Sequence, residues 1–210
     1  MPKQKLLDAL YQQKRIYHQP IVSQVYRSRL HYLIQKADIQ PGMTVLDIGF
    51  EHGILLAKLA QQHENSLLYG IELAKSQYAQ TQLNFNKYGL SAVHLLQGDI
   101  LEYDFEGQQF DRIVATSVFE HVQNLDKLAQ KLPFLLAPGG QLTVLSPNER
   151  WHYELARKVF GYKKPADHYH FCDDITRTVE KYLPLINSSY YPWWARLYKI
   201  DVFASSQHNK

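Results

Sequence analysis

The run Thr44-Val45-Leu46-Asp47-Ile48-Gly49-Phe50-Glu51-His52-Gly53 constrains this chain more than any other stretch. A short apolar run ends in an acid and a glycine. A second glycine opens an apolar pattern at helical spacing through Ile54, Leu55, Leu56 and Leu59. That combination predicts a buried parallel strand, a tight turn and a helix, the unit from which open α/β sheets are wound and at whose strand ends they place ligands. Many such turns bind nothing, so this one gains meaning only from the segments downstream of it.

Three further strand ends carry matching chemistry. Leu67-Leu68-Tyr69-Gly70-Ile71-Glu72 ends in an acid, and Val93-His94-Leu95-Leu96-Gln97-Gly98-Asp99-Ile100 closes on another. Phe110 to Thr116 supplies a fourth strand, followed by Ser117-Val118-Phe119-Glu120-His121-Val122. Pro138-Gly139-Gly140 turns into a fifth, Gln141 to Leu145, closed by Ser146-Pro147-Asn148. Helical patterns lie between: Ala74 to Tyr88 with Gly89 as a left-handed cap, and a helix carrying Leu125, Leu128, Leu132 and Leu136, capped by Asn124 or Asp126 and interrupted by Pro133. Such alternation demands a parallel sheet with right-handed crossovers. Before it, residues 3–38 read as two helices parted at Gln19-Pro20. After it come an aromatic, histidine-rich segment from Trp151 to Phe171, a helix around Asp174 to Lys181, and two strands, Ser188 to Trp194 and Arg196 to Ser205, spaced for a hairpin.

This ordered set, over roughly residues 40–150, resembles the class I S-adenosylmethionine-dependent methyltransferases, in particular the small-molecule branch with ubiquinone-type, polyketide and sugar methyltransferases. His168-Tyr169-His170-Phe171 is similar to a segment found after the fifth strand in that branch. The resemblance implies a Rossmann-like α/β fold: a doubly wound, mostly parallel sheet of seven strands with N-terminal helices and a C-terminal antiparallel strand pair. It implies one domain over 1–210, with a helical cap to residue 40, a cofactor-binding core over 41–148, a substrate roof over 149–172 and a C-terminal helix and strand pair over 173–210.

It also implies roles. Glu72, with Leu73 beside it, stands where the cofactor's ribose hydroxyls are accepted. Asp99 stands where the adenine amino group is accepted, with Ile100 on the ring. Asp47 lies under the methionine part, Gly49 and Gly53 admit a close backbone, and Ser117 and Val118 face the transferable methyl. Glu51 departs from the pattern, because the family usually carries glycine there. Its charge could oppose the cofactor's carboxylate, turn outward to water or accept from the ammonium, and weakened or lost cofactor binding is the remaining reading. His121, His168 and His170 are the candidate bases, although a chain with 10 histidines also uses them structurally. Tyr17, Tyr26 and the roof would enclose the acceptor.

Composition narrows the classes. The chain of 210 residues is 45% hydrophobic and 20% charged, enough for one sizeable core. Its apolar runs are too short for a membrane span, and its start lacks a signal-peptide core. One cysteine, Cys172, excludes an internal disulfide and points to a reducing cytoplasm. The net charge of +3 is scattered, and no proline pair follows the fourth strand to grip a flipped base, so a small-molecule acceptor is expected rather than nucleic acid or membrane. The expected assembly is a monomer or homodimer. Methyl transfer to an oxygen, nitrogen or carbon of a small metabolite is the leading reading. A non-catalytic binding or scaffold member of the fold is its rival through Phe50-Glu51, and a nucleic-acid or protein methyltransferase is a further one through the mild basicity.

Overall fold

The computed structural model describes residues 2–13, 18–63, 65–90, 92–161 and 167–205. Seven strands form one sheet: β1 (Thr44–Ile48), β2 (Leu67–Glu72), β3 (His94–Gln97), β4 (Phe110–Thr116), β5 (Leu136–Pro147), β6 (Leu185–Tyr191) and β7 (Tyr198–Ala204). Their spatial order is β3-β2-β1-β4-β5-β7-β6. The first five run parallel, while β7 lies antiparallel to both β5 and β6. The strand order reverses between β1 and β4, so their carboxyl ends open a crevice there.

β1 shows why the sheet is buried on both sides. Alternate side chains point to opposite faces. Leu46 and Ile48 join one apolar cluster with α5 (Leu125–Leu135) and α7 (Cys172–Glu180). Val45 joins the other, with α1 (Pro2–Gln13), α2 (Pro20–Ala37), α3 (Ile54–Gln62) and Phe85 of α4 (Lys75–Lys87). A strand covered on both faces needs a nearly continuous apolar run, and β1 has one. Pro20 takes the first turn of α2, where its missing N–H costs no hydrogen bond. The Asn124 side chain caps α5 by accepting from Lys127 N at 3.0 Å.

Two elements differ from expectation. β5 begins at Leu136 rather than Gln141, because Gly139 with φ of 76° lets the chain bulge while Phe110 still pairs with Leu136. The first hairpin strand, β6, sits about three residues earlier than expected and ends at Tyr191 because Pro192 has no N–H for the ladder, whereas β7 falls within the expected second strand. Trp193 and Trp194 therefore lie in the turn, 81% and 72% exposed, instead of in a strand. Among the described residues no helix is long and apolar enough to cross a membrane.

Candidate functional site

A cleft of about 1150 Å³ lies along the carboxyl ends of β1, β2 and β4 and under α2. Asp47 ends β1 at its floor, 2% exposed. Burial pushes its carboxyl well above the usual range, and the neighbouring Glu72 charge adds to the rise. Gly49 follows with φ of 71°, its N–H donating to the Ile71 carbonyl at 2.8 Å. A Cβ there would lie 2.4 Å from Val118 Cγ2, so only glycine lets this turn pass beneath the loop after β4.

Glu51 holds φ of 48°, the left-handed conformation that suits glycine. Its side chain is 46% exposed, with Oε1 3.6 Å from His52 Nε2. Its N–H donates to Glu72 Oε2 at 2.9 Å, and its carbonyl accepts from Thr81 Oγ1 at 2.9 Å. Gly53 behaves differently from the expectation. It does not line the cleft, and a Cβ would meet Phe85 and Thr81 of α4 at 2.7 Å. Its smallness serves helix packing, with φ of 70° at the start of α3.

The other acids sit on the cleft wall. Glu72 is buried at the end of β2, its two oxygens accepting from Glu51 N and, at 2.8 Å, from Ala74 N. The carboxylate is thereby fixed in orientation, with its remaining lone pairs uncommitted to these amides. Leu73 lies on the rim, exposed. Asp99 accepts from Leu101 N at 2.9 Å through one oxygen, and Ile100 beside it is buried and lines the cleft. Ser117, at φ of 55°, and Val118 form the opposite lip, the Ser117 N–H donating to the Leu145 carbonyl at 2.7 Å.

At the inner end lie Glu120, His121 and His168. Glu120 is 1% exposed, and among the described residues neither of its carboxyl oxygens has a hydrogen-bond partner. Burial pushes its pKa up to about 8. The rings of His121 and His168 meet edge to face at 4.5 Å. His121 Nδ1 lies 3.0 Å from Asp167 Oδ2, outside hydrogen-bond alignment. His168 Nδ1 donates to Glu149 Oε1 at 2.7 Å, and Arg157 holds Glu149 at 2.8 Å. Burial lowers the His168 pKa against the pull of Glu149, favouring the neutral ring. His170 stands apart: its Nε2 donates to the Val122 carbonyl at 3.0 Å, and it does not line the cleft. Of the three candidate bases, two are brought together and the third ties a loop.

Sequence reasoning missed Arg29. It is buried on α2, stacked on Tyr26 at 3.9 Å and Tyr198 at 4.6 Å, with Nη1 donating to Ser117 Oγ at 3.4 Å. The available signal was a cation set between Tyr26, Leu30 and Leu33 on the apolar stripe of a helix, where a solvated arginine has no place. Of the expected roof, Trp151 begins α6 (Trp151–Val159) and points outward at 77% exposure, whereas Tyr153 is buried in the cleft wall. Tyr17 lies outside the described residues.

A family model described as a methyltransferase domain matches residues 18–182. N-methyltransferase 4 of Papaver somniferum is 32% identical over 99 residues, 47% of this chain and 28% of that protein. The sterol 24-C-methyltransferase of Saccharomyces cerevisiae is 31% identical over 115 residues, 54% of this chain and 30% of that protein. The chain thus spans less than a third of the length of these curated relatives. A solved structure of a SAM dependent methyltransferase from Aquifex aeolicus is alike in fold, with a TM-score of 0.70 at 16% identity over 84% of this chain and 89% of that one. With most of its length matched by the family model, the chain belongs to the methyltransferase-domain family.

Proposed function

We propose that this member of the methyltransferase-domain family transfers a methyl group from S-adenosylmethionine to an oxygen, nitrogen or carbon atom of a small metabolite. The observation that carries this reading is the convergence of Glu72, Asp99 and the Gly49 turn on one cleft at the sheet's switch point. A relative named as an N-methyltransferase and one named as a sterol 24-C-methyltransferase support nitrogen or carbon acceptors, the sterol being a small molecule.

The residues present suit the cofactor. A carboxylate fixed by two amides, as Glu72 is, can accept both hydroxyls of a ribose. Asp99 has one oxygen on Leu101 N and another able to accept from an exocyclic amine, with the apolar Ile100 beside it. Arg29 offers a guanidinium to a carboxylate. When bound, S-adenosylmethionine supplies a methyl carbon activated by its sulfonium. The chain's own part is chiefly to align an acceptor, and alignment alone can supply much of a rate. His168, held by Glu149 with its proton on Nδ1, presents Nε2 as the nitrogen able to take a proton.

Glu51 in the turn favours a second reading, a cofactor-free scaffold. Calorimetry with S-adenosylhomocysteine separates the two. Micromolar-range binding that is lost or weakened at least tenfold in Glu72→Ala is the expected result. Unchanged affinity in that variant would remove the ribose assignment, and no binding by the parent protein would leave the scaffold.

A further inference from the structure

We propose that Glu120, His121 and His168 form a binding site for a divalent transition-metal ion at the inner end of the cleft. Each residue offers one ligand atom, and the three atoms lie within 4.8 Å of one another. Ions held by nitrogen and oxygen at about 2.0–2.2 Å need donors roughly 3.3 Å apart, so each group has to move inward by at most about 1 Å. Side-chain rotation can supply that.

The surroundings point the same way. A buried carboxyl group with neither oxygen bonded is a place for a further partner, and among the described residues Glu120 is in that state. Two guanidinium groups come near without serving. Arg157 is paired with Glu149 and Glu154, and Arg29 is held in its tyrosine stack on Ser117. His168 carries the arrangement found behind metal-bound imidazoles: Nδ1–H donates to the buried Glu149 carboxylate, which fixes the tautomer and leaves Nε2 with the lone pair. Asp167 lies 3.0 Å from His121 Nδ1 without a hydrogen bond, so the second ring lacks the support that Glu149 gives the first.

Two imidazoles with one carboxylate suit Zn²⁺, Co²⁺ or Fe²⁺ better than Mg²⁺ or Ca²⁺, which prefer all-oxygen shells. Three protein ligands leave a coordination position open, and since all three residues line the cleft, that position faces it. It would take an oxygen or nitrogen of the acceptor and lower its pKa, in place of the proton-accepting role that His168 Nε2 can fill only when the ion is absent. Ion binding here needs no methyl donor, so it can fail or succeed apart from the methyl-transfer reading.

The test is equilibrium dialysis of the chelator-treated full chain against Zn²⁺, with the visible spectrum of the Co²⁺-loaded protein as a second readout. The expected result is one equivalent bound and a visible Co²⁺ absorption. Both should be lost, or the affinity weakened at least tenfold, in Glu120→Gln and His168→Asn. Glu149→Gln should weaken binding by roughly tenfold to a hundredfold, through the orientation of His168. His170→Asn should bind like the parent, because that ring is spent on the Val122 carbonyl. Circular dichroism identifies any variant that fails to fold, and the nearly isosteric Glu120→Gln then decides. No zinc bound by the parent, or parent-like binding in folded Glu120→Gln, overturns the site. S-adenosylhomocysteine titration of the same samples reports on the cofactor reading independently.

Discussion

Glu51 is where local conformation and family pattern collide. A non-glycine residue at φ of 48° carries a steric penalty of about 1 kcal/mol, which the fold offsets by tying its N–H to Glu72 and its carbonyl to Thr81. Glu51→Gly keeps both backbone bonds and removes the penalty, so urea denaturation should show a gain of about 1 kcal/mol. Lower stability in that variant would mean that the side chain contributes more than its strain costs. Because the side chain is 46% exposed, its charge is screened. We therefore expect S-adenosylhomocysteine affinity to change by less than tenfold, as a solvent-screened charge would give. Glu72 and Asp99 were legible in the sequence because an acid closing an apolar run is a distinct local signal. Arg29 and Glu149 were not, since their meaning depends on partners far along the chain: Ser117 for one, His168 and Arg157 for the other.

At the level of elements, α7 is fastened to β7 by a buried lysine. Lys199 Nζ donates to Asp173 Oδ1 at 3.0 Å and to Thr176 Oγ1 at 2.6 Å, and lies 3.6 Å from Asp201 Oδ2. The hydrogen bond from Lys199 holds the Asp173 carboxyl below its ordinary value of 3.8. A depressed carboxylate contributes stability above its unfolded-state pKa and loses it as pH falls through the folded-state value. Asp173 is 48% exposed in its side chain, so the contribution is at most about 1 kcal/mol. Asp173→Asn should cost that amount at pH 7. The difference in unfolding free energy should shrink as pH drops below 3.8 and vanish below the lower, folded-state pKa. A difference that persists in acid would assign the loss to packing rather than charge. Elements themselves were readable wherever periodicity was long, as in α2 and α4. The first hairpin strand was carried past Pro192 to Trp194 although that proline has no N–H for the ladder, and β5 was shortened because Pro138-Gly139-Gly140 reads as a turn when it is a bulge inside a strand.

The whole molecule sets two layers of helices on one sheet, with the cleft at its switch point and α2 lying across it. Strand alternation implied the parallel sheet but not the order of its strands, since alternation fixes handedness and not sequence in space. The position of α2 has a consequence for dynamics. Its Tyr26, Arg29 and Leu30 line the cleft, while its far end is held to β4, Arg112 Nε donating to the Ala37 carbonyl at 2.8 Å. A ligand spanning the strand-end turns and Arg29 would add contacts between the first half of this helix and the sheet. At about 100 times Kd it would add roughly 2.7 kcal/mol to stability. Amide hydrogen exchange should then slow at residues 49–53, 72–74 and 99–101, and in α2 around Arg29. The edge strand β6 contributes nothing to the cleft and opens by local fraying, so its exchange should stay unchanged. Protection of the turns without α2 would exclude the cap from the site and return Arg29 to a packing role in its tyrosine stack.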